Sequence, residues 1–280
     1  MNALKKILLI ALVGCFVAGS LTLILWQSLR TTKLSIQYVA AADGLALKKY
    51  NGTSEDTRLV IPDTAPDGNG IERPVVELAE FSVSNAGYLQ ELYIGANVRT
   101  IHPWAVTNCE ALRSVEVDPG NPYFASVDGV LYSRDMTKLI LYPNMRGERF
   151  AVPDSVTVIG ENAFYKCKNL LEIKFPTHLR EVEERAFFRC TGLKTLALPA
   201  GLETIGVDAF AFCDGLEGDI TIPASCRKIG AYAFSGQDSK IGRVVILAGE
   251  GEIELAKDWL PLKEKKARER VEFEFIGGAQ

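Results

Sequence analysis

The stretch Val156–Pro176, VTVIGENAFYKCKNLLEIKFP, returns three times downstream, as Leu179–Pro199, Leu202–Pro223 and Cys226–Ile246. Four columns keep the register: Ile159, Val182, Ile205 and Ile229; the pairs Ala163-Phe164, Ala186-Phe187, Ala209-Phe210 and Ala233-Phe234; Cys167, Cys190 and Cys213; and Leu170, Leu193 and Leu216. The four Phe residues lie 23, 23 and 24 residues apart, with the extra residue near Gly218-Asp219. A unit this short cannot enclose its own apolar side chains. Fixed apolar columns at such a period therefore require units that stack side by side and bury their faces on one another, which is a solenoid.

Spacing within the unit predicts its parts. Phe164, Cys167 and Leu170 step by three, and Ala163 to Cys167 by four, which predicts one or two helical turns with one face inward. Ile173 and Phe175 alternate with Glu172 and Lys174, which predicts a short strand with one buried face. Pro176 ends that strand because it has no N–H to offer a neighbour. The expected unit is strand, turn, second short extended piece, brief helix, making an α/β repeat of about 23 residues.

The pattern L-x-x-I-x-[IFL]-P-x-x-[VL]-x-x-[IV]-G-x-x-A-F-x-x-C-x-x-L resembles the leucine-rich repeat of the BspA type. The likeness covers roughly Leu78 to Ile246. It departs from the ordinary leucine-rich repeat in lacking an Asn ladder, with Cys on the predicted helical side and Pro after the strand. The resemblance implies a leucine-rich-repeat solenoid on a bacterial or protist surface, and adhesion to host or neighbouring-cell proteins and matrix.

Other segments are placed relative to the array. Lys5 and Lys6 precede Ile7–Trp26, an uncharged and mostly apolar run long enough for a transmembrane helix across one bilayer core. Three readings of residues 1–33 remain open: an uncleaved signal anchor, a signal peptide cleaved near Ala18-Gly19-Ser20, and a lipoprotein signal at Leu12-Val13-Gly14-Cys15. All three put the repeats outside the cytoplasm, so the expected location is the cell membrane, single-pass, or otherwise secreted or lipid-anchored. Residues 34–75 are expected to form the leading cap, with short strands at Leu45–Leu47 and Leu59–Pro62, since a first unit would otherwise expose an unpaired edge. Residues 76–247 hold the repeats. Leu78, Val83, Ala86 and Leu89 fall 23 residues before Ile101, Val106, Cys109 and Leu112, and Trp104-Ala105-Val106 is expected to fill the same interior. A 35-residue insert near 118–152 reads as a hairpin, Gly129–Tyr132 with Lys138–Tyr142, and Asn121-Pro122-Tyr123-Phe124 supplies aromatics for a structural repeat or a projecting binding element. Residues 248–280 read as the closing cap, with helical pieces at Ile253–Leu260 and Leu262–Arg270 and a last strand at Val271–Ile276. The Lys263–Arg270 basic run is either a solvated helix face or a contact with anionic lipid or cell-wall polymer.

Cys109, Cys167, Cys190, Cys213 and Cys226 lie beyond the apolar run, and three readings of them stand: a ladder of small buried side chains, disulfides between stacked neighbours, or metal ligands. The absence of C-x-x-C argues against metal. His102 and His178 occupy different columns, and no Walker loop, G-x-G-x-x-G, H-E-x-x-H or G-x-S-x-G occurs, so no cofactor and no catalytic residue is nominated. A net charge of −4 gives no ground for a nucleic-acid partner. The outward positions of the predicted strands carry Glu91, Tyr93, Ser114, Glu116, Glu172, Lys174, Thr195, Asp219 and Thr221, and this is the candidate binding face. The expectation is a membrane-tethered, non-enzymatic, extracellular protein that binds an extracellular protein or matrix component. Binding of cell-wall or host glycan is the alternative, and an envelope sensor or a glycoside hydrolase comes third.

Overall fold

A computed structural model describes residues 36–236, 240–259 and 272–276. The apolar run 7–26 and the segment 262–270 lie outside the described residues. Among those described, no helix is long and apolar enough to cross a membrane.

The solenoid is built, but its units contain no helix among the described residues. The expected α/β unit is corrected to one made of strands and turns. Between the short strand Val158–Ile159 and Leu170 the chain makes consecutive turns, and its N–H groups alternate in direction. Ala163, Tyr165 and Cys167 donate to the carbonyls of Gly160, Asn162 and Phe164, three residues back, while Asn162, Phe164 and Lys166 donate to Glu184, Ala186 and Phe188 of the next unit. The following unit repeats this, with Arg185, Phe187 and Arg189 donating to Val207, Ala209 and Ala211. In an α-helix every N–H would bond within its own segment. Here half of them stitch neighbours together, so the turn side is itself a ladder between units. Reversing direction twice per unit requires a left-handed residue every fourth position: Asn162 and Lys166 at φ 57° and 58°, Arg185 and Arg189 at 51° and 59°, Asp208 and Phe212 at 55° and 58°.

The second wall is a stack of two-residue strands. Val158–Ile159, Glu181–Val182, Thr204–Ile205, Lys228–Ile229 and Glu254–Leu255 pair in parallel, in register, one residue of each pointing inward. Units approach closely beside this wall. A Cβ on Gly206 would lie 2.6 Å from the Glu183 carbonyl carbon, and one on Gly230 would lie 2.5 Å from the Val207 nitrogen.

The third wall holds the alternating strands, and it is broken into three sheets. Ser114–Val117, Glu91–Ile94 and Arg58–Ile61 form one, Arg149–Ala151 and Glu172–Lys174 a second, and Glu217–Ile222, Lys240–Ile246 and Glu272–Phe275 a third. Thr195 is exposed but lies outside any strand. That corrects the expectation of one continuous outward face.

The caps use the same walls. Ile36–Ala41 pairs antiparallel with Gly44–Tyr50, which pairs in parallel with Glu72–Leu78, whereas Arg58–Ile61 belongs to another wall. At the far end, Glu254–Leu255 extends the short-strand stack where a helical piece was expected from Ile253, because its donors reach Arg227 and Ile229 carbonyls of the last unit through Glu254 and Ala256.

The interior is two cores, not one spine. One contains Leu47, Leu59, Leu78, Leu92, Leu112 and Val115, the other Phe164, Phe187, Phe210 and the side chains around them. The strand Val130–Ser133 stands between them. Leu131 packs into the first core and Val130 and Tyr132 into the second, because successive residues of a strand face opposite ways. This strand is the centre of a three-strand meander with Phe124–Val127 and Lys138–Leu141. Asn121 fixes the approach to it: fully buried, it donates from Nδ2 to the Gly95 and Val98 carbonyls and accepts the Tyr123 and Phe124 amides on Oδ1. The insert is thus a structural partition.

Candidate functional site

The larger core is threaded by a file of rings, stacked as far as Phe234 and met edge-on by Trp259. Tyr142, Phe164, Phe187, Phe210, Phe234 and Trp259 follow one another at centroid distances of 4.8, 4.6, 5.1, 5.4 and 6.3 Å. The insert and the closing segment each contribute an end ring, so the Phe column continues past the units that carry the motif. Beside it runs the Cys column. The Cys190 and Cys213 thiols donate to the Phe164 and Phe187 carbonyls at 3.0 and 3.1 Å, and Cys109 donates to Val83 at 3.2 Å. All five described cysteines are free and buried. Burial pushes the Cys109 and Cys226 thiols up to about 11 and the Cys167 thiol higher still. Those three thiols are packed and protonated, without nucleophilic character at neutral pH.

The nominated outward residues fall on separate sheets. Glu91, Tyr93, Ser114 and Glu116 share one, where Glu91 stands opposite Ser114, and Tyr93 opposite Glu116 and Val60. Glu172 and Lys174 lie on the second, and Asp219 and Thr221 on the third. Most of the charges are already answered across strands. Arg58 lies 3.6 Å from Glu91, Arg149 lies 3.5 Å from Glu172, and Arg243 holds Asp219 through two guanidinium nitrogens and its own amide. The Arg243 contact keeps the Asp219 carboxyl below its usual range. Ser114 donates to Glu116 at 2.6 Å, and the Tyr93 hydroxyl donates to Asp118 at 2.7 Å, which raises the phenol and lowers the acid. In the strand registers no two of the nominated carboxylates stand directly opposite each other. Among the described residues, no group of three or more His, Cys, Asp or Glu is arranged to hold a metal ion. His102 sits 3.1 Å from Glu77, and His178 is exposed elsewhere.

Sequence reading missed the rings on the turn side. Trp104 does not fill the interior with Ala105: it stands outside, 5.9 Å from Phe81 and 5.3 Å from Tyr165, in a file that continues through Phe188 to Phe212. Tyr165 and Phe188 follow the motif Phe by one residue, and that period was the available signal.

Parallel stacked units, a fixed column of core residues and a wall of short in-register strands define this chain as a leucine-rich-repeat solenoid. Residues 141–254 match the family model described as a BspA type leucine rich repeat region, in six copies, and this part of the chain is a BspA-type repeat array. Among solved structures, the pneumococcal vaccine antigen PcpA is similar at 15% identity and a TM-score of 0.48, over 88% of this chain and 96% of that one. A leucine rich cell surface protein from Faecalibacterium prausnitzii is similar at 17% identity and a TM-score of 0.43, over 89% and 98%. A T. pallidum leucine rich repeat protein is similar at 22% identity and a TM-score of 0.31, over 86% and 84%. No curated protein matches the sequence.

Proposed function

We propose that the chain is a membrane-tethered, non-enzymatic, extracellular protein that binds an extracellular protein or matrix component. The observation that carries the reading is the three-stranded sheet of Arg58–Ile61, Glu91–Ile94 and Ser114–Val117. Its inward residues are locked in a core, and its outward side chains form a fixed mixed surface in which Tyr93 on the central strand stands between Glu116 and Val60, the latter 40% exposed on an edge strand. A rigid backbone under an aromatic, an aliphatic and charged side chains suits protein recognition, since little ordering entropy is lost on binding. Lys5 and Lys6 ahead of residues 7–26 favour an N-terminus inside and repeats outside.

Two measurements test it. Protease added to intact cells with a permeable outer layer is expected to remove the repeats, and full protection would refute the orientation. Cross-linking on such cells followed by recovery of the full chain is expected to capture a partner that the Tyr93→Ala, Glu116→Lys variant loses. Equal capture by a correctly folded variant would refute this sheet as the binding face.

A further inference from the structure

The outer file of rings has no role in either core. Phe81, Trp104, Tyr165, Phe188 and Phe212 succeed one another at 5.9, 5.3, 5.5 and 5.3 Å, and none belongs to the buried clusters. Phe81 is half exposed and the others are half-buried. Cations are held against them. Lys166 Nζ lies 5.2 Å from the Tyr165 ring, and the Arg189 guanidinium lies 5.6 and 5.4 Å from Phe188 and Phe212. Arg185, over Trp104, is neutralised by Glu184 and Asp208. Arg189 and Lys166 have no carboxylate in ion-pair range among the described residues. Lys166 donates only to the neutral Asn108, and Lys168 meets Glu110 in an exposed pair of small worth. Burial, and after it the like charges of Arg189 and Lys168, hold the Lys166 ammonium below its ordinary value although Glu110 acts the other way, so Lys166 is repelled by both of its cationic neighbours. An anion laid among them relieves that repulsion.

The class of anion follows from what the face withholds. Backbone groups here are spent on the ladder between units, so an extended peptide finds no edge to join. Tyr165 and Phe188 lie within 6° of parallel and turn their faces to each other, which leaves no open platform for a nucleobase. At that pair the outside meets ring edges, the positive part of the aromatic quadrupole, and guanidinium and ammonium groups already positioned by the rings.

We propose that this file binds an extended carboxylate-bearing polysaccharide, its acid groups paired with Lys166, Lys168 and Arg189 and its ring and hydroxyl oxygens against the electropositive rims of Tyr165 and Phe188. It uses a face other than the Tyr93 sheet and stands or falls without it.

The test is binding of the full-length chain, in detergent micelles, to immobilised polygalacturonate. Fully methyl-esterified polygalacturonate removes the charge and keeps the rings, poly-glutamate keeps the charge on a peptide, and oligo-dT keeps it on a nucleic acid. The expected result is salt-sensitive binding to polygalacturonate alone, about tenfold weaker in the Arg189→Asn, Lys168→Asn variant, about one stacked cation and one ion pair lost. Asn accepts the left-handed backbone at 189, and an unchanged thermal midpoint certifies the fold. Lys168→Gln alone, at an exposed site, serves if the double variant is destabilised. Tyr93→Ala is expected to bind normally. Absence of binding, equal binding to the ester, to poly-glutamate or to oligo-dT, or full affinity in the variants would overturn the proposal.

Discussion

Phe187 is fully enclosed between Phe164 and Phe210, with Phe175 edge-on at 5.8 Å. Phe187→Ala is expected to cost roughly 3–5 kcal/mol in urea unfolding, the range for emptying a buried aromatic site, because rings on both sides are tied to their own units and cannot close the gap. The ionisable residues of the interior give a pH dependence. Burial pushes the Cys109 and Cys226 thiols up to about 11 from an ordinary 9.0, and the Tyr38, Tyr50, Tyr132 and Tyr142 phenols up to about 12 from 10.0. Raised values mean that the folded state keeps protons the unfolded chain releases. Stability is therefore whole below about pH 9 and falls as pH rises towards about 11 and 12. A thermal midpoint that is flat from neutrality to about pH 9 and then declines is the expected result, with the first part of the decline reduced by Cys109→Ala and Cys226→Ala. Because they are buried, the described thiols are expected to resist iodoacetamide at pH 7.5 until the chain is unfolded in urea.

The turn ladder is the element that a helix was expected to occupy. Apolar residues at steps of three and four fit either, because a turn of helix and a pair of tight turns both bring such positions to one side. What separates them is the backbone sign at every fourth residue, and Asn162, Arg185, Lys166 and Arg189 do not announce it as glycine would. The difference can be measured at Arg189, whose side chain is exposed. In a helix, Gly would be less stable than Ala by about 1 kcal/mol. At φ 59° the order reverses, and Arg189→Gly is expected to match or exceed Arg189→Ala by about 0.5–1 kcal/mol in urea unfolding. The outward strand residues were legible as alternation, and Glu91, Tyr93, Glu116, Glu172 and Lys174 stand where alternation puts them. Thr195 was not legible as an exception: Leu196 still packs inward, but the segment forms no strand ladder with its neighbours.

At the scale of the whole molecule the partition at Val130–Ser133 matters most. Two apolar clusters share one strand, so destabilising one need not unfold the other at once. Phe187→Ala is expected to speed amide exchange through residues 156–234 while Leu59, Leu92 and Val115 keep their protection. Uniform loss across the chain would mean that the partition transmits unfolding and the solenoid is one cooperative body. The stacking also sets the surfaces. Each wall repeats its side chains once per unit, so a sheet, a ladder of turns and a file of rings become three parallel tracks along one body.

Period, columns and strand alternation lay in the amino-acid order, because burying a recurring apolar side chain needs only the next copy of the same unit, and those contacts are written at fixed intervals. Three things lay beyond it: the turns in place of helices, the break in the outward sheet, and the stacking of the outer rings into one file. Each depends on where an N–H or a side chain finds its partner in a neighbouring unit, and in a stacked chain that partner lies more than twenty residues away, set by how the units settle against one another rather than by local preference.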